Sequence, residues 1–382
     1  VPRRPPLAPA DILDRAEEAA ILAAQERVPV RAAGYSRAAP VPIVWRMHRT
    51  VSSIVLLLAA CGATEAPQQF RACDRPAELV EANPAYPWTP NAVRLVSEEL
   101  APGVFAILDA NADEYAPAGI PLATSGGFVI GEDGVLMVES MINRQLFCQA
   151  VDLIRAQTDR PVRWVINTSS HGDHNFGNAF LPDDVQIIQH ARTAEYIAGH
   201  FDEDVAFMEA NFGTDQGIDE ITPRDADVRV GDDGWSVDLG GVTVEARHYG
   251  FAQTPGDLFV YVPEARVLWT GNAFLAEAPG VPWLLAGNAV EAQATLAAVR
   301  DSLPADAIVV PGHGRPTRPA DMNFHVDYLA ALIAGVHAAI DGGLDLEATV
   351  AAVALPEFQG YALWGWIHDQ VNVPHTYDEL RP

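Results

Sequence analysis

The stretch that decides the fold is Val165-Ile166-Asn167-Thr168-Ser169-Ser170-His171-Gly172-Asp173-His174-Asn175-Phe176-Gly177-Asn178. An apolar strand runs straight into a polar loop that holds two histidines and an aspartate. Imidazole nitrogen and carboxylate oxygen are the donors that zinc and similar borderline cations accept, and side chains this close in sequence converge on an ion only if the backbone turns sharply. Gly172 and Gly177 are expected to permit that turn through their conformational freedom. The plainer alternative is a solvated loop whose histidines cap the next helix.

Outward from this loop, the same layout recurs. Val242-Thr243-Val244-Glu245-Ala246 leads into His248-Tyr249-Gly250, Val267-Leu268-Trp269 into Thr270-Gly271-Asn272, and Ile308-Val309-Val310 into Pro311-Gly312-His313-Gly314. A polar residue beside glycine after each of four apolar strands is what a site on one rim of a sheet requires. This repetition favours a metal site over a set of unrelated caps.

Between these loops strands and helices alternate. Val104–Ile107, Ser125–Ile130 and Val135–Val138 read as strands, and a helix is expected from about Asn143 to Thr158, with Leu146, Ala150, Leu153 and Ile154 at helical spacing. Trp235–Leu239 with Val242–Ala246, and Leu258–Val262 with Arg266–Thr270, have the form of hairpins. After Arg318 the chain turns helical: Leu329, Leu332, Ile333, Val336 and Ile340 share one face, and Gly342-Gly343 stops the run. Phe358, Tyr361, Trp364 and Trp366 are expected to pack these helices on the body of the chain rather than to line a substrate entrance.

The order of the polar loops is similar to the metallo-beta-lactamase superfamily, whose pattern is H-x-H-x-D-H, a lone His, Gly-Asp and Gly-His. The similarity spans roughly residues 93–318 and includes Thr254-Pro255-Gly256-Asp257, which looks like the segment after the family's third loop histidine. It implies an α/β fold, a four-layer αββα sandwich, here with a C-terminal helical extension over 319–382. By the same resemblance His171 and His248 serve a first metal, and Asp173, His174 and His313 a second. Asn272 falls where many members have a bridging Asp, and Ser169 where they have the first His. A hydroxyl and an amide are poor ligands for a divalent cation, so one tightly held zinc ion is expected, with any second held weakly.

The function implied is that of a metal-dependent hydrolase acting on a small amide or ester, a beta-lactam-like ring first, with Asp173 holding metal and orienting water or accepting its proton. A lactonase or thioesterase of the same fold, or a metal- or ligand-binding lipoprotein without catalysis, are the alternatives. No G-x-S-x-G nucleophile segment competes. His190, His200, His325, His337, His368 and His375 are expected to be surface or hydrogen-bonded residues without a role at the site.

Composition bounds the partners. The formal charge of -27 argues against nucleic acid, leaving a small-molecule substrate. All 24 basic residues are Arg, which fits either a high-salt habitat or a GC-rich genome. No apolar run reads as long enough to span a bilayer.

Residues 1–46 read as an upstream extension outside the fold, and 47–60 as a secretory signal, with basic, apolar and small residues in order. Leu58-Ala59-Ala60-Cys61 resembles the lipobox of bacterial lipoproteins. That resemblance implies a lipidated Cys61, anchorage to the cell envelope on its periplasmic side, and Met47 as the start. Residues 61–92 read as a tether or loosely packed lead-in. Cys73 and Cys148 are left either as two free thiols or as a bridge, which would contribute about 4 kcal/mol.

Overall fold

The computed structural model describes residues 70–76, 78–86 and 88–382. The signal-like segment and Cys61 lie outside these residues.

Two sheets stack face to face. The first has seven strands in sequence order: β1 (Leu95–Ala101), β2 (Val104–Asp109), β3 (Gly126–Gly131), β4 (Gly134–Val138), β5 (Val162–Ile166), β6 (Gln186–His190) and β7 (Val228–Val230). It is antiparallel from β1 to β4 and parallel from β4 to β7. The second, ordered β12-β11-β10-β9-β8, holds β8 (Trp235–Asp238), β9 (Thr243–Arg247), β10 (Phe259–Val262), β11 (Val267–Trp269) and β12 (Ile308–Val310). Both expected hairpins form, as β8–β9 and β10–β11.

Alternation along the strands sorts side chains into layers. In β2, Val104, Ala106 and Leu108 face the other sheet with Val260 and Val262 of β10, while Phe105 and Ile107 face outward. The outward face of the first sheet is covered by helix α1 (Arg144–Arg155) through Leu146, Phe147, Ala150, Val151 and Ile154. Helix α2 (Ala191–Phe212) follows β6. The second sheet turns Phe259, Tyr261, Leu268 and Val309 towards α3 (Ala289–Ser302) and α4 (Asn323–Asp341). The result is the four-layer sandwich expected from sequence. Between the sheets, Trp269 lies over Gly127, where a Cβ would come within 2.5 Å of its Nε1, and donates to Gly126 O at 2.9 Å.

Pro319–Asp341 is a continuous helical stretch of 23 residues, long and apolar enough to cross a bilayer, contrary to the reading from sequence. Its Tyr328, Leu329, Leu332 and Val336 are fully buried against α3 and α5 (Val373–Leu380), so its apolar face belongs to the core. The lead-in is fastened to the body of the chain at its start. Cys73 and Cys148 form a disulfide with Cα atoms 5.3 Å apart, and Phe70 packs on Phe147 with ring centroids 6.0 Å apart.

Candidate metal centre

The loops after β4, β5, β11 and β12 meet on one rim. The loop after β5 is held by amides: Asn175 Nδ2 donates to Ser170 O and His171 O, and Asn167 Nδ2 to His174 O. Asp173 and His174 lie in the single helical turn Gly172–Asn175. Neither Gly172 nor Gly177 has positive φ, so they do not serve by conformational freedom as expected. They are small because space is lacking. A Cβ on Gly172 would lie 2.4 Å from the Phe176 ring, and one on Gly177 would overlap Ser140 O.

Asp173, His174 and His313 converge. Asp173 Oδ2 is 3.4 Å from His174 Nε2 and 3.3 Å from His313 Nε2. With metal bonds of about 2.0–2.1 Å, the edges of a tetrahedral ligand set measure about 3.3–3.4 Å, so each imidazole already stands at ligand separation from the carboxylate, and all three atoms lie within 4.8 Å of one another. His174 Nε2 and His313 Nε2 are buried and face Asp173 Oδ2 without a hydrogen bond of good geometry, as atoms kept for an ion would. The donor set of two imidazoles and one carboxylate therefore fits zinc.

Each of the three is aimed by a neighbour. Thr124 Oγ1 donates to Asp173 Oδ2 at 2.6 Å. His313 Nδ1 donates to Leu122 O at 2.9 Å, which leaves the Nε2 lone pair for the site. His174 Nδ1 is 3.1 Å from Oε1 of Glu139, a carboxylate 1% exposed that also accepts from Thr168 Oγ1 and Thr168 N. Carboxylate–histidine pairing of this kind fixes the ring and raises its basicity. Burial works against a charge on His174, but Asp173 and Glu139 outweigh it and raise its pKa to about 9. Burial likewise works to raise the Asp173 pKa, but His174 and His313 hold it below the usual carboxylate range.

The residues expected to hold a first metal do not assemble. His171 Nδ1 is 3.3 Å from Asn272 Nδ2, which places both beside the three converging groups, and burial lowers the His171 pKa to about 4. His248 is elsewhere. Its Nδ1 donates to Asp257 O at 2.9 Å, and its ring lies on that of His190 with centroids 4.5 Å apart. The residue directly before Thr254-Pro255-Gly256-Asp257 is Gln253, a signal that sequence reading passed over. Its loop is closed by Asp257, which accepts from three successive backbone N–H groups, and by Leu258 N donating to Thr168 O. Gln253 Nε2 and Oε1, Ser169 Oγ and Asn272 Oδ1 are all buried without partners.

His190, expected to be a surface or hydrogen-bonded residue, is hydrogen-bonded within a second group. Its Nε2 is 3.1 Å from Asp232 Oδ1, and His248 Nε2 is 3.8 Å from the same oxygen. His190 Nδ1 accepts from Arg192 N at the start of α2, so its Nε2 carries the proton and donates to Asp232. Arg192 NH2 holds the other Asp232 oxygen at 2.8 Å. The group is a hydrogen-bonded ion pair whose imidazole is in the wrong tautomer for a metal at Nε2. Glu139, Thr124 and Asp232 were not singled out in the sequence. Only Glu139 carried a signal, as an acidic residue directly after the apolar strand Val135–Val138.

A family model described as the metallo-beta-lactamase superfamily matches residues 119–313, just over half of the chain. The chain belongs to this superfamily. Among solved structures, this metallo-beta-lactamase superfamily chain is similar to the stereoselective inverting sec-alkylsulfatase Pisa1 from Pseudomonas sp., at 16% identity and a TM-score of 0.58. That match covers 76% of this chain and 50% of the other, so the chain spans about half the alkylsulfatase's length. It is also similar to a metallo-beta-lactamase from Pontibacter korlensis (16% identity, TM-score 0.47, 62% of this chain and 99% of that one). A further match is the mono-zinc form of the metallo-beta-lactamase FIM-1 from Pseudomonas aeruginosa (15% identity, TM-score 0.49, 62% and 96%). At 16% identity the likeness to the alkylsulfatase is one of fold.

Proposed function

We propose that this chain is a zinc-dependent hydrolase of small amides or esters, a beta-lactam-like ring first among them, with one tightly held ion. The observation that carries the reading is the convergence of Asp173, His174 and His313, with both imidazole Nε2 atoms at tetrahedral ligand separation from Asp173 Oδ2 and all three ligand atoms within 4.8 Å of one another. Zinc at such a centre supplies Lewis acidity and acidifies water at neutral pH. Asp173, His174 and His313 would hold it, with Glu139, Thr124 and Leu122 O fixing their orientation. Asp173 would also orient the attacking water and accept its proton, its carboxylate being kept ionised by the two imidazoles.

The neighbouring position offers His171 among neutral groups, Ser169 and Asn272, with Gln253 on the adjoining loop. These donate and accept hydrogen bonds but compete poorly with water for a cation, so a second ion would be held weakly. The same substitutions favour the alternative of a metal- or ligand-binding protein without catalysis. One assay separates them: bound metal by elemental analysis, then turnover of beta-lactams, lactones, thioesters and secondary alkyl sulfates with and without chelator. The last class is included for the alkylsulfatase of similar fold. Chelator-sensitive turnover supports the hydrolase, and bound metal without turnover of any class supports the binding protein.

Anchorage at the periplasmic side of the cell envelope through a lipidated Cys61 remains our proposal from sequence. The Cys73–Cys148 disulfide supports an oxidising compartment.

A further inference from the structure

We propose that Trp283 and Trp366 form an apolar subsite beside His313 that takes an uncharged or cationic aromatic group of the substrate. This rests on the hydrolase reading above and names the side of the substrate that the site selects.

Trp283 lies on the loop between Asn272 and α3. Val281 and Leu284, on either side, are almost wholly buried and fasten the loop to the core. Asn372, from the C-terminal extension, clamps the same segment: its Nδ2 donates to Pro282 O at 2.7 Å and its Oδ1 accepts from Leu284 N at 3.0 Å. Trp283 is thus held between two backbone hydrogen bonds made by one buried side chain. Its ring stacks on His313, with centroids 5.9 Å apart and planes 25° apart, and Trp366 meets it edge-on at 5.9 Å and 65°.

The other C-terminal aromatics do pack the extension, as expected from sequence. Phe358 and Tyr361 are buried, Trp364 stacks on His368 at 4.3 Å, and Phe358 and Trp364 both lie against Tyr328. Trp366 packs on this core as well, and like Trp364 and Trp283 it keeps part of its surface exposed; what sets Trp366 and Trp283 apart is that their ring contacts lead to His313. A rigid, part-exposed indole pair against a metal-ligand histidine is a surface on which an aromatic group can bury area next to the scissile bond.

Charge narrows the class. The chain carries -27, which disfavours anions, whereas indole faces attract cations. Arg315, two residues from His313, is engaged by Glu98 at 2.9 Å and Asp113 at 3.1 Å. It is not free to receive an anionic group.

The test compares acetyl and phenylacetyl esters of one alcohol, in unmodified protein, Trp366→Ala and Trp283→Phe, with metal content measured in each. The unmodified protein should favour phenylacetyl by about tenfold or more in kcat/KM. Trp366→Ala should remove most of that preference at unchanged metal content, and Trp283→Phe should keep part of it. In parallel, saturation-transfer NMR follows binding of N-benzylacetamide to chelator-stripped protein, and Trp366→Ala should weaken it severalfold. Turnover without acyl preference, or a preference untouched by Trp366→Ala, overturns the subsite and leaves the hydrolase standing. Benzyl binding that depends on Trp366, with no turnover of either ester, supports the subsite and counts against the hydrolase.

Discussion

Replacing Glu139 by Gln tests whether the metal centre is built as described. Glu139 has a positive φ of 64°, which is equally strained for either side chain, so the backbone contributes nothing to the comparison. In the native site Oε1 accepts from Thr168 Oγ1 at 2.5 Å and faces His174 Nδ1 at 3.1 Å, while Oε2 accepts from Thr168 N at 3.3 Å. Thr168 thus gives this carboxylate two hydrogen bonds, and His174 Nδ1 faces it as an ion-pair partner. An amide has one acceptor end, so whichever way it is placed a donor is turned against a donor. The negative charge that raises the basicity of His174 is lost as well. Loss of such an orienting partner weakens metal binding about 10- to 100-fold, or about 1.4–2.8 kcal/mol. The unmet hydrogen bond costs a further 1–3 kcal/mol or so in fold stability. Competition for zinc with a chromophoric chelator at pH 7.5 measures the first quantity, and urea denaturation of chelator-stripped protein the second. A Glu139→Gln variant that holds zinc within about twofold of the unmodified protein, with its fold intact, would refute the orienting role.

Three further outcomes are expected. Equilibrium dialysis with elemental analysis should find close to one ion per chain, rising towards two in Ser169→His/Gln253→His/Asn272→Asp. Two tightly held ions in the unmodified protein would sink the single-ion assignment. In metal-free protein the His174 pKa lies at about 9, above its ordinary 6.5, so the folded state holds this proton more tightly than the unfolded. The stability it contributes is complete below pH 6.5 and is lost between pH 6.5 and 9. A metal must displace the same proton, so zinc affinity should climb over that window and level off above it; a flat affinity there would contradict the assignment. Cys148→Ser opens a loop between residues separated by 75 positions and should cost about 4.5 kcal/mol by the chain-entropy estimate, read from urea midpoints. An unchanged midpoint would mean that the lead-in contributes nothing to the fold.

Much of the architecture was legible in the sequence because it depends on local pattern. Continuous apolar runs mark β2 and β10 as strands buried on both faces, and four strands that each end in a polar residue beside glycine mark one rim. Asp173, His174 and His313 were readable for the same reason, since each is delivered by the strand before it. What sequence spacing could not decide is which side chains meet across the rim. His248 follows a strand as His313 does, yet its Nδ1 is tied to Asp257 O and its ring lies on His190, a residue 58 positions earlier in the chain. Thr124 reaches the centre from a loop that carries no pattern of its own, and the acidic residue after Val135–Val138, Glu139, gives no hint along the chain that it meets His174. The disulfide, left open by sequence, needed two Cα atoms within bonding range, and only the packing of the lead-in on α1 supplies that. Secondary structure and burial follow from neighbours along the chain. Coordination, tautomer and pairing follow from distances between segments far apart in it, and only the tertiary structure sets those.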